Sequence, residues 1–280
     1  MKRLILCMMA YLIVAHPFKV VSADETKSYA EEARVANYIS RIYDQIDFGK
    51  HSRLSYEVFD KAMHGYINLK NAGKLSSDKA IISICDFNLP STENRLWVID
   101  LSAKKVLYNT YVAHGQGSGE DYAVAFSNRE NSHQSSLGFY VATETYEGEH
   151  GTSLRLQGMD EGFNDAAFDR GIVVHGADYV SNRFISGNDR LGRSWGCPAV
   201  PSALSLPIIN TIKDSTCLFI YYPDTKYISS TYWLNKKIAF LPGNDMYGDM
   251  MQADIQKPKV KVIEYVRNGK VDSVKTIPLQ

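Results

Sequence analysis

Between residue 76 and about residue 224 the chain reads as a succession of short strand-length runs, and this stretch limits the possible fold more than any other feature. The runs are 80–86, 95–101, 105–113, 138–145, 152–157, 171–175 and 216–222. Glycine-rich clusters break them apart, notably Gly115-Gln116-Gly117-Ser118-Gly119 and Glu147-Gly148-Glu149-His150-Gly151. Seven such runs at this spacing predict a mainly β fold, either a sandwich or a partly closed barrel. Short helices are expected near 178–185 and 206–213, the second opening at Pro207 because proline fits only a first turn.

Before residue 76 the pattern is helical. Val35, Tyr38, Ile39, Ile42 and Ile46 recur at three and four, which predicts a helix over 28–48 closed by Gly49. A second helix is expected over 55–72, ended by Asn71-Ala72-Gly73. The pair reads as a helical cap that buries one face on the β region. At the other end, 259–266 and 270–277 alternate around Asn268-Gly269, a hairpin signal. Residues 225–258 give no clear pattern. The expected organisation is a signal segment over 1–23, a helical cap over 24–75, a catalytic β domain over 76–224 and an extension with a β-hairpin over 225–280.

The first 23 residues resemble an export signal. Lys2 and Arg3 precede an apolar run from Leu4 to Ala15, and Val21-Ser22-Ala23 supplies small residues for cleavage. The run is too short for a membrane span, and no later run is long enough. An exported protein of the periplasm or cell envelope is therefore expected, without stable membrane insertion once the signal is cleaved. The sequence holds 31 basic and 31 acidic residues. That balance gives no reason to expect a nucleic-acid partner.

Three cysteines follow the signal: Cys85, Cys197 and Cys217. An odd count in an oxidising compartment points to a free thiol with a task. Cys85 and Cys217 sit in apolar runs and read as core residues, although a disulfide between them stays open. No Cys-x-x-Cys or His-x-x-x-His spacing is present, so no zinc site and no cofactor are expected.

Cys197 stands apart, in Arg193-Ser194-Trp195-Gly196-Cys197-Pro198. A thiol is mostly protonated at neutral pH and needs a base or a positive neighbour to become a good nucleophile. Gly196 permits a tight turn in which backbone N–H groups converge near the sulfur, the makings of an oxyanion hole. Among the histidines, His51 and His64 lie in the helical region. His114, His133 and His150 lie in or beside glycine-rich or polar loops. His175 ends the run Ile172-Val173-Val174 and precedes Gly176, a rigid position for a base.

These residues carry a family resemblance. His175-Gly176, then Gly192-Arg193-Ser194 and Gly196-Cys197, resembles the signature of the L,D-transpeptidases of the YkuD type, and Ser135-Ser136-Leu137-Gly138-Phe139-Tyr140 resembles an upstream element of the same domain. The resemblance spans about 76–224 and lies nearest the murein L,D-transpeptidase subgroup. It implies a thioester mechanism on peptidoglycan stem peptides, which serve as donor and acceptor. Cys197 would be the nucleophile and His175 its base, with the Gly176 carbonyl orienting the imidazole. Backbone N–H groups of Trp195, Gly196 and Cys197 would hold the oxyanion. Arg193 and Ser194 would bind substrate or hold the loop, and Asn128 would line the cleft or merely form a turn. Trp195 stands where most members carry a second histidine, which leaves His175 as the one base that the motif supplies. The acceptor stays open between a second stem, water, a protein and a free D-amino acid; oligomeric state is not encoded in the motif. A papain-like or NlpC-type peptidase fits less well, because there the cysteine precedes the histidine. The rival of another class is a non-catalytic wall-binding module, for which eighteen tyrosines would offer stacking surfaces.

Overall fold

Eight strands form one sheet in the order β3-β2-β1-β8-β4-β5-β6-β7 in the computed structural model, which describes residues 23–242, 260–267 and 270–278. The strands are β1 (Ile81–Asp86), β2 (Leu96–Asp100), β3 (Lys105–Thr110), β4 (Gly138–Gly148), β5 (Gly151–Gly158), β6 (Val173–Ala177), β7 (Ala199–Pro201) and β8 (Thr216–Tyr221). The pairs β1–β8 and β6–β7 are parallel, and the other neighbours run antiparallel. The ends of the sheet meet. Just beyond β3, the Ala113 N–H donates to the Ala199 carbonyl in β7 at 2.8 Å. The fold is therefore mainly β, a nearly closed barrel-shaped sheet carrying short helices.

Seven strands fall on the runs that the sequence marks. β7 does not, because it is only three residues long, follows Pro198 and ends on Pro201. Proline cannot donate to a ladder, so such a strand survives only at a sheet margin, which is where β7 lies.

Helix α2 (Tyr56–Asn71) packs on β1 and β8, and helix α1 (Ala23–Gln45) packs on α2. Val35 and Ile39 of α1 and Phe59, Met63 and Ile67 of α2 share a core with Ile82, Phe139 and Phe219. The Phe139 and Phe219 rings stack at 4.2 Å. Residues 225–242 enter the same core through α5 (Thr225–Ser230) and α6 (Tyr232–Asn235), which bring in Tyr227 and Trp233. The buried Asp160 carboxylate fastens them. It accepts from the Phe139 N–H at 2.7 Å, from the Tyr227 hydroxyl at 3.1 Å and from the Thr231 hydroxyl. Packing therefore does not stop at residue 224.

Two helices differ from expectation. α3 spans Asn182–Asn188, displaced towards the C-terminus because Ser181 caps it, accepting from the Phe184 N–H at 3.3 Å. α4 spans Ser202–Ile212 with Pro207 inside it rather than at its start. Ala203 and Pro207 are both exposed, so the carbonyl that the proline leaves free is open to water. Strands β9 (Val260–Arg267) and β10 (Lys270–Pro278) pair antiparallel. The intervening Asn268-Gly269 lies outside the described residues, as do residues 1–22 of the expected signal segment. Among the described residues no helix is long and apolar enough to cross a membrane.

Candidate active site

Strand pairing at the closure of the sheet brings Cys197 and His175 to one cleft. β6 and β7 run parallel with His175 opposite Ala199, two residues beyond Cys197. Both side chains line a cavity of about 500 Å³, together with Tyr146, Glu149, His150, Arg170, Tyr179, Arg193, Ser194 and Trp195. Gly176 lets α4 approach β6, since a side chain there would meet Ser205 Oγ at 2.7 Å.

His175 is buried, and its Nδ1 lies 3.0 Å from the Gly176 carbonyl. A carbonyl only accepts, so Nδ1 carries the proton and Nε2 keeps a free lone pair. Burial holds the His175 imidazolium below the ordinary histidine range; the Gly176 carbonyl offsets part of this, and His150 adds to it. Cys197 is half-buried. Its sulfur accepts from the Val173 N–H at 3.4 Å and lies 3.8 Å from the Gly171 carbonyl. Burial pushes the thiol up, while the Val173 N–H and the Arg170 guanidinium pull it down. The two shifts keep thiol and imidazole neutral near pH 7, and the resting site holds no hydrogen bond between them.

The loop that presents Cys197 is held on three sides. The Ser194 N–H donates to the His114 carbonyl at 3.0 Å, and the Gln116 N–H donates to the Ser194 carbonyl at 2.8 Å. Ser194 Oγ accepts from the Gly196 N–H at 3.1 Å and donates to the Cys197 carbonyl at 2.6 Å. Gly196 has φ +122°, and a Cβ there would lie 2.8 Å from the Gln134 carbonyl, so only glycine fits. The oxyanion expectation changes as a result. The Gly196 N–H is committed to Ser194, whereas the N–H groups of Trp195 and Cys197 find no acceptor among the described residues.

Arg193 lines the cleft but donates to the Gly119 carbonyl at 2.9 Å and to Glu120 at 2.6 Å. It thereby ties the cysteine loop to the 116–120 loop. Asn128 is not among the cleft residues. Its amide donates to Asp165 at 2.7 Å and accepts from the Ala166 N–H at 3.1 Å, joining two surface loops. Both ends of its side chain are occupied, which removes it from the substrate-contacting set.

Two features of the cleft are absent from the motif. Arg170 donates to the carbonyls of Ser127 and Gln134, both at 2.8 Å, and so braces the loop behind the thiol. His150, at the tip of the β4–β5 hairpin, stacks on His175 with ring centroids 4.4 Å apart. Trp195 is 71% exposed, an unusual position for an indole, and rests on the His133 ring at 5.0 Å. Cys85 and Cys217 are buried and free. In the β1–β8 register Cys85 faces Ile220 and Cys217 faces Ile82. Three residues of strand, roughly 10 Å, separate them, too far for a disulfide.

Residues 50–221 match the L,D-transpeptidase catalytic domain family, more than half of the chain. The chain belongs to that family. The matched stretch runs from just before α2 to the end of β8 and contains both His175 and Cys197. Among solved structures the chain resembles an L,D-transpeptidase of Mycobacterium tuberculosis, 12% identical, covering 51% of this chain and 58% of that one at a TM-score of 0.31. It also resembles one from Mycobacterium smegmatis, 10% identical, covering 51% and 59% at a TM-score of 0.33. The chain thus aligns with under two-thirds of each of those proteins, and similarity of this order carries nothing about individual residues. No curated protein sequence matches.

Proposed function

We propose that the protein is a cysteine acyltransferase of the cell envelope that acts on peptidoglycan stem peptides through a thioester on Cys197. The observation that carries this reading is the shared cleft: a half-buried free thiol and a buried imidazole on paired strands, the imidazole polarised by the Gly176 carbonyl. Membership of the L,D-transpeptidase family supplies the substrate class.

His175 Nε2 takes the Cys197 proton as sulfur attacks the carbonyl of the third stem residue. The Trp195 and Cys197 N–H groups receive the developing oxyanion. Collapse of that intermediate breaks the peptide bond to the terminal D-alanine, and His175 returns its proton to the departing amine. An amine of a second stem then attacks the thioester, giving a crosslink and restoring the thiol. Water in its place gives the trimmed tripeptide. The export signal over 1–23 accords with a substrate outside the cytoplasm, and the catalytic unit is assigned to the sheet over 76–224. Incubating the purified chain with a tetrapeptide muropeptide tests the reading by mass spectrometry. The expected products are a dimer that has lost one D-alanine or a monomer shortened by one. Unchanged muropeptide under conditions where Cys197 stays reduced would overturn it.

A further inference from the structure

The β4–β5 hairpin reaches over the cleft and ends in Gly148-Glu149-His150-Gly151. At its tip the His150 ring lies against the His175 ring, 4.4 Å between centroids and 20° from parallel. On one edge His175 is held by its bond to the Gly176 carbonyl at 3.0 Å. That bond leaves the ring free to tilt about the Nδ1 contact, and a second contact on the ring face removes this freedom.

We propose that His150 is a positioning residue of this site, whose stacked imidazole fixes the plane of the His175 ring. The inference rests on His175 being the base for Cys197. The motif has Trp195 in place of a second histidine, and the hairpin brings an imidazole into the same cleft from a different element. The contact has a second consequence, because His150 adds to the lowering of the His175 imidazolium. Other charged or titratable groups share the cleft: Glu149 and Tyr146 from the hairpin, Arg170 before β6, Tyr179 after it, and Arg193 and Cys197 from the cysteine loop.

The test compares the full chain with its His150→Ala and His150→Phe variants by two readouts. One is the titration of His175 followed by NMR of labelled histidine side chains. The other is the rate of Cys197 acylation by a carbapenem, followed by intact mass. His150→Ala is expected to slow acylation roughly three- to tenfold, the range to which one aromatic contact converts. His150→Phe, which keeps a stacked ring without charge, is expected to restore most of that rate. The His175 midpoint should rise in both variants, and further in His150→Ala, which also exposes the ring. Wild-type acylation by His150→Ala with an unmoved midpoint would overturn the proposal. So would an equal loss in both variants without a shift of the midpoint, the signature of a hairpin that merely packs. A failure of the base reading looks different: His175→Ala would then react as fast as wild type. The titration needs no turnover, and it would still decide whether His150 holds His175.

Discussion

Replacing Ser194 by alanine separates a loop-holding role from a substrate-binding one. The hydroxyl is buried and bonded at both ends, to the Gly196 N–H at 3.1 Å and to the Cys197 carbonyl at 2.6 Å. Alanine leaves both groups without a partner. Cys197 is half-buried, so water can reach its carbonyl and recover most of that bond. The Gly196 N–H is buried, and an orphaned buried donor costs about 1–3 kcal/mol. A loss of ~2 kcal/mol lowers the melting temperature of a domain of this size by ~4–8 °C. Release of the loop also displaces the thiol and the two free N–H groups beside it. An error of ~1 Å there slows acylation by up to about a hundredfold. Differential scanning calorimetry and intact-mass kinetics with a carbapenem report both quantities. Ser194→Thr, which keeps the hydroxyl, should fall between alanine and wild type. An unchanged melting temperature with only a raised KM for donor peptide would refute the reasoning and make Ser194 a substrate contact.

In the mature chain, from residue 24 onward, Cys197 should be the thiol that reacts most quickly with iodoacetamide. Cys85 is fully buried and pushed up to about 12, and Cys217 is pushed up by burial too, so Cys197→Ser should abolish labelling and carbapenem adducts alike, as peptide mapping would show. His175→Ala should lower acylation by roughly 10²–10⁴-fold, as single-turnover kinetics would measure. Stability should carry a signature of His114, which burial and the Arg95 guanidinium depress to about 3. The unfolded chain takes up that proton near pH 6.5, so this contribution is full above that pH and is lost as the pH falls towards 3, by about 1.4 kcal/mol per unit at most. Asp86, raised by burial to about 6, works in the opposite sense, stabilising as the pH falls from 6 to 4. Urea unfolding of wild type and His114→Asn from pH 7 to 4 isolates the histidine: the gap between them should shrink as the pH drops.

The strands were legible because their apolar runs are continuous and glycine breaks fall between them. β7 was hidden by Pro198 before it and Pro201 at its end, and only its partner β6 makes Ala199–Pro201 a strand. The helices after residue 224 are too short for periodicity to register. Asp224, whose carboxylate accepts from the Tyr227 N–H at 2.7 Å, is the one local signal of a helix start there. In the candidate site, Gly196-Cys197 and His175-Gly176 could be read because the geometry they need is local. His150 and Arg170 could not, because tertiary packing brings them to the thiol from other elements. Asn128 reads first as a turn former and second as a cleft residue, and its bonds to Asp165 and Ala166 accord with the first reading.

Closure of the sheet has a consequence for how the molecule moves. The two ends are stitched by a few backbone bonds: Ala113 to Ala199, Ser194 to His114, and Gln116 to Ser194. The loop that carries Cys197 is part of that stitching. A slight parting there would leave the stacked core of Phe139 and Phe219 and the β6–β7 pairing intact while releasing the loop that holds Cys197 beside His175. Inactivation can therefore precede unfolding, as a local opening confined to one edge of the barrel. Its trace would be the shared hydrogen-exchange rate of three amides, those of Ala113, Gln116 and Ser194, faster than that of the strands on either side.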